Sequence, residues 1–183
     1  MSLSVKDRAE HVATFRFIQV FLMETLARWT PATPELEVKV LFGRHIWDLA
    51  QQADALGKRT YELRAPLQFS LRPTDRYVAF LEDFAKTSTT SEKIHGFYEA
   101  ILPGLAARYR AYLEQTDRLL DEPTVRIVER ILEEFNRMQN EFRQVKSELA
   151  KLSNLDNAWL SRLAQQEAVE ADIVVHRTAA AVA

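Results

Sequence analysis

The chain of 183 residues contains no cysteine. Disulfides, iron–sulfur clusters, thiolate zinc sites and cysteine nucleophiles are excluded together, because each needs the missing thiol. Helix breakers are also scarce, with 4 Gly and 6 Pro. Neither sign of charge dominates: 24 Lys and Arg against 26 Asp and Glu leave a net charge of −2. Proteins that grip phosphate backbones normally carry a basic face, so nucleic acid is not an expected partner. No apolar run approaches the ~20 residues that span a bilayer, so no membrane is expected. The opening MSLSVKDRAEH is too charged for a secretory signal, and a cytoplasmic location is the expectation.

What is present is 47% hydrophobic and 27% charged, a composition suited to one domain built from long helices. A first helix is expected over about residues 4–29, ended by TPATP. Thr33 then suits an N-cap and Pro34 a first turn, opening a second helix that continues to about Arg64. After an irregular stretch, Thr74 or Asp75 caps a short helix over 77–86. Thr89-Thr90-Ser91 before Glu92 opens a third long helix lasting to about Leu120. Pro103-Gly104 should kink it and open a cavity toward His45. Asp121-Glu122-Pro123-Thr124 starts a fourth, which reaches about Leu152. This pattern predicts a helical bundle over 1–152, then a C-terminal helix and flexible tail over 153–183.

The second helix carries the informative stretch, GRHIWDLAQQ from Gly43. His45, Asp48 and Gln52 lie three and four positions apart, on the helix face that Val38 and Leu41 extend. That face is read as inward, although Leu36, Val40, Gly43, Trp47 and Ala50 form a competing apolar stripe.

Together, ARWTPATPELEVKVLFGRHIWDLAQQADALGKRTYELR (27–64) and LLDEPTVRIVERILEEF (119–135) resemble the ferritin-like superfamily, in particular its uncharacterised bacterial members. The resemblance covers about residues 10–150 and implies a ferritin-like four-helix bundle, with the short inserted helix and an extra C-terminal helix added. It also implies an ancestral two-metal carboxylate site, used for oxygen activation, radical storage or iron oxidation. Such a site needs one Glu from each of two helices and Glu-x-x-His from each of the other two.

Against that requirement the ligands run out. The fourth helix presents Val128, Ile131, Phe135, Met138 and Phe142 as an apolar seam. In its EEFNR string, Asn136 and Arg137 stand where a histidine would be sought. The third helix turns Ile94, Tyr98, Ile101, Leu105, Tyr109, Tyr112 and Leu119 inward. The remaining polar cluster is Glu24, His45, Asp48 and Gln52, with Glu99 and Glu133 as edge members. Glu24 also has Arg28 one turn on as an ordinary surface partner. His11, His95 and His176 are read as surface residues, and the Glu-rich VERILEEF as a solvated face.

The expectation is therefore a non-catalytic bundle with a degenerate metal site and no cofactor, binding a small-molecule ligand or a partner protein and pairing as a homodimer. The alternative is a non-haem iron or manganese oxidase or oxygenase with an atypical site at Glu24, His45 and Asp48. A third possibility is a structural subunit that packs Trp159, Leu160 and Leu163 on a partner chain.

Overall fold

The computed structural model describes residues 3–149, 152 and 155–177, so the expected tail at 178–183 lies outside the described residues. Helix α1 (Val5–Ala32) starts at a capping box, in which Ser4 Oγ accepts the Asp7 N–H and the Asp7 carboxylate accepts the Ser4 N–H. Thr33 closes this helix instead of opening the next: its N–H reaches the Thr30 carbonyl and its hydroxyl donates to the Trp29 carbonyl at 2.9 Å. Pro31 lies in the last turn, where the Thr30 hydroxyl donates to the Leu26 carbonyl and the Thr33 hydroxyl satisfies the terminal Trp29 carbonyl.

Helix α2 (Leu36–Glu62) returns along α1 with Glu35 as its N-cap. Its inward stripe is Val38, Leu41, Phe42, His45, Leu49 and Gln52, all buried. The competing stripe points outward, with Leu36, Val40 and Trp47 exposed. Helix α3 (Asp75–Ala85) is capped by the Thr74 hydroxyl. Helix α4 spans 90–115 in three stretches: Thr90–His95, a π-helical stretch Gly96–Ile101, and Leu102–Gln115. Helix α5 (Glu122–Glu148) begins with Pro123 in its first turn, and α6 (Asn157–Ala168) follows. The described residues are all helix and connection, with no strand among them.

The π stretch explains how α4 absorbs Pro103. Leu102 donates its N–H to the Phe97 carbonyl, five residues back. Pro103 has no N–H to offer Tyr98, so that carbonyl is left without a helical donor. Gln139 of α5 supplies one through Nε2 at 3.0 Å. Gly96 and Gly104 face α6, while Tyr98 of the same stretch reaches His45. A Cβ on Gly104 would lie 1.8 Å from Glu167 Oε2, and one on Gly96 would meet Leu163 and Trp159 at 3.0 and 3.1 Å. These two glycines let the C-terminal helix seat on α4, and toward His45 the fully buried Tyr98 side chain stands where the open cavity was expected.

Helices α1, α2, α4 and α5 share one apolar core, with α3 and α6 closing its side. Tyr98, Tyr109, Phe97, Phe135 and Phe142 are among its fully buried side chains. Removing a Leu- or Phe-sized side chain from water contributes about 1.5–3 kcal/mol each. Helix α4 ends at Gln115, and Leu119, expected to point inward, is 84% exposed in the turn that follows. That turn is held by Asp121, which is fully buried and accepts from Tyr112 Oη (2.5 Å), Thr124 Oγ1 (2.6 Å), Thr116 Oγ1 (2.8 Å) and Arg59 Nη2 (3.0 Å). Burial by itself pushes the Asp121 carboxyl up, but these hydrogen bonds outweigh it and hold the group below the usual carboxylate range.

Candidate functional site

His45 is fully buried between α2, α4 and α5. Its Nδ1 lies 2.6 Å from Tyr98 Oη and its Nε2 lies 3.2 Å from Glu141 Oε2. Burial pushes the imidazole below its ordinary pKa, against the pull of Glu141 and Asp48. Burial likewise raises the Tyr98 phenol well above its ordinary value. A neutral imidazole beside a protonated phenol leaves one consistent assignment: Tyr98 O–H donates to Nδ1, and Nε2–H donates to Glu141. The Tyr98 ring is itself fixed, stacked on Phe142 at 4.8 Å and 11° and meeting Phe97 edge-on at 4.8 Å.

Asp48 and Gln52 continue the line away from His45. Asp48 Oδ1 accepts from Arg137 Nη2 at 2.9 Å, and Arg137 Nη1 reaches Glu141 Oε1 at 3.1 Å. Gln52 Nε2 donates to Glu134 Oε2 at 2.8 Å, and Arg130 holds the other oxygen of Glu134 at 2.9 Å. The result is a ladder between antiparallel helices, His45–Glu141, Asp48–Arg137 and Gln52–Glu134. Positions 45, 48 and 52 run one way and 141, 137 and 134 run the other, each in steps of three and four, which keeps the rungs on facing sides. Two atoms in the ladder, Asp48 Oδ2 and Gln52 Oε1, are buried and have no hydrogen-bond partner.

Three of the expected cluster residues therefore come together and three do not. Glu24 is exposed on α1, its carboxylate 3.9 Å from Arg28, because it lies on the face opposite the core residues Leu22 and Leu26. Glu133 is exposed, one position off the face that carries Glu134. Glu99 is half-buried but belongs to a separate group, with His95 Nδ1 at 2.7 Å and Lys146 Nζ at 3.0 Å. His95 is not a surface residue: it is buried, and its Nε2 donates to the Leu152 carbonyl at 2.9 Å.

The partners missed were Glu134, on the supposed solvated face, and Arg137 and Glu141 further along the same helix. Their spacing mirrors that of 45, 48 and 52, and that match was the available signal. Glu167 was missed as well. It is buried, accepts from Arg108 Nη1 at 2.5 Å and Tyr77 Oη at 3.1 Å, and burial raises its pKa despite both partners.

The donor set at His45 does not fit the two-metal centre that a ferritin-like site requires. Two carboxylates and one imidazole approach each other there, and a guanidinium already bridges the carboxylates. Among the described residues, three or more potential ligand atoms converge within 4.8 Å at a different place, Asp7, Glu10 and His176. A groove of about 330 Å³ runs beside Gln52 and Glu134, bounded by Lys58, Arg126 and Ile131. No family model matches the chain, and neither a curated protein nor a solved structure matches it.

Proposed function

We propose that this chain is a non-catalytic, ferritin-like helical-bundle protein that works as an interaction module and carries the remnant of a metal site. Four long helices around one core, and the ferritin-like look of residues 27–64 and 119–135, support the descent. The observation that carries the reading is Arg137. Its guanidinium binds Asp48 at 2.9 Å and Glu141 at 3.1 Å, supplying beside His45 the positive charge that iron or manganese would otherwise bring. An ion entering there would have to displace two charge-assisted hydrogen bonds.

The interaction surface is the outer stripe of α2. Leu36, Val40 and Trp47 are 69%, 49% and 66% exposed, and Gly43 among them has nothing within 4 Å of a would-be Cβ. A glycine in an apolar stripe lets a second helix approach closely, and a second copy of the chain is the proposed occupant. A small-ligand role has its own support. The unpartnered Gln52 Oε1 beside the 330 Å³ groove would accept a hydrogen bond from a ligand donor.

Two measurements test this. Anaerobic titration with ferrous iron should give no binding that depends on His45; about one equivalent lost in both His45→Ala and Asp48→Ala would overturn the remnant-site reading. Sedimentation analysis should find a dimer that Trp47→Glu converts to monomer. A monomeric parent chain would remove the self-pairing part.

A further inference from the structure

Far from the α2–α5 ladder, the last described residues fold back onto the start of α1. His176 Nδ1 lies 3.0 Å from Glu10 Oε2 and 3.8 Å from Asp7 Oδ1, although 166 positions separate His176 from Glu10. One potential ligand atom from each residue falls within 4.8 Å of the other two. We propose that Asp7, Glu10 and His176 form a site for one divalent metal ion of the zinc class, which fastens the C-terminal segment 172–177 onto α1.

The argument rests on how the side chains divide their atoms. Asp7 spends Oδ2 on the capping box, accepting from both the N–H and hydroxyl of Ser4, and turns Oδ1 toward His176. Glu10 uses Oε1 to accept the Arg177 N–H at 3.1 Å, with Lys6 Nζ 3.8 Å away, and presents Oε2. His176 has Nε2 3.7 Å from Asp172 Oδ2, leaving Nδ1 for the centre. Asp7 and Glu10 are thus each held by one oxygen and offer the other, while His176 turns its far nitrogen toward an acidic side chain. Metal-bound histidines commonly donate their far N–H to a carboxylate, and Asp172 stands on that side of the ring, 3.7 Å away.

Glu10 sets this group apart from an ordinary exposed acidic cluster. It is 5% exposed, a carboxylate covered by the returning chain and aimed at the centre. Ligands ~2.0–2.2 Å from a tetrahedral zinc stand about 3.3–3.6 Å apart, and the 3.0 and 3.8 Å separations around Nδ1 lie on either side of that range. Two carboxylates and one imidazole leave a fourth position for water. The His11 ring, 5.8 Å from that of His176, stands at the rim. Oxygen and imidazole donors without thiolate suit zinc, cobalt or manganese over copper(I). Lys6 is the competing cation, but it contacts the Oε1 side and also donates to the Arg177 carbonyl, so it does not occupy the centre.

The full chain, stripped with chelator, would be titrated calorimetrically with zinc chloride and followed optically with cobalt(II). One equivalent is expected, with cobalt bands of tetrahedral intensity and slower amide exchange in 172–177 when zinc is present. His176→Asn and Glu10→Gln should each weaken binding at least tenfold, while His45→Ala leaves it unchanged. Because Glu10 is buried and its variant risks misfolding, the half-exposed His176→Asn is decisive, checked for helicity by circular dichroism. No zinc uptake, undiminished uptake in folded His176→Asn, or loss in His45→Ala would each overturn the site. Failure here leaves the Arg137 reading intact, since that one concerns iron binding that depends on His45.

Discussion

Replacing Asp121 with alanine should be among the most damaging single changes in this protein. The carboxylate is fully buried and ties the end of α2, through Arg59, to the end of α4, through Tyr112 and Thr116, and to the start of α5, through Thr124. Arg59 is itself 9% exposed in its side chain and would lose its buried counter-ion, keeping only Glu62 and Thr124. Removing one member of a buried ion pair costs about 3–5 kcal/mol, because the remaining charge stays desolvated. For a chain of this size ~1 kcal/mol shifts Tm by roughly 2–4 °C, so a fall of roughly 6–20 °C is expected in a thermal melt. Urea titrations of Asp121→Ala, Arg59→Met and the double variant would isolate the coupling, expected at about 1.5–3 kcal/mol. Glu133→Ala, on the exposed face of α5, serves as the control and should stay within about 0.5 kcal/mol of the parent. A loss below about 1 kcal/mol for Asp121→Ala would refute the claim that this network holds the helix ends together.

Two further outcomes follow from geometry and charge. Gly104→Ala places a Cβ 1.8 Å from the buried Glu167 carboxylate and should cost about 1–3 kcal/mol by overpacking, whereas Gly43→Ala meets nothing of its own chain within 4 Å and, at concentrations low enough to keep the chain monomeric, should gain about 0.5–1 kcal/mol from helix propensity. Equal effects at both positions by denaturant titration would contradict the seating of α6 on α4. The pH dependence carries a sign: His45 titrates below its unfolded value of 6.5, so the unfolded chain binds its proton first as pH falls. The stability that neutral His45 contributes is complete above pH 6.5 and is lost as pH drops below it. Asp121 acts the same way only below its unfolded value of 3.8. Unfolding titrations between pH 7.5 and 5.5 should show this loss in the parent and not in His45→Gln; an identical slope in both would exclude His45 as the source.

The sequence by itself determined the all-helical class and most helix starts. Ser4 with Asp7, Thr89 with Glu92, and Pro123 mark their helices through hydrogen bonds or backbone angles within four residues of the chain. On α2, 3.6-residue periodicity allowed two apolar stripes, and packing turned the one from Val38 through His45 to Gln52 inward while Leu36, Val40 and Trp47 stayed exposed. Tertiary structure decided which polar groups meet. Glu141, Arg137 and Glu134 oppose His45, Asp48 and Gln52 only once the rotation and register of α2 against α5 are set, and those depend on core packing along the whole length of both helices. The same holds for the π stretch of α4, which needs both a proline that removes a donor and Gln139 from another helix to replace it. It holds most of all for His176 and Glu10, 166 positions apart, which meet because Glu167 locks α6 onto α4 and delivers the returning chain to α1. Hydrogen bonds between near neighbours are written in local order, whereas contacts between distant residues depend on packing that no short stretch of the chain contains.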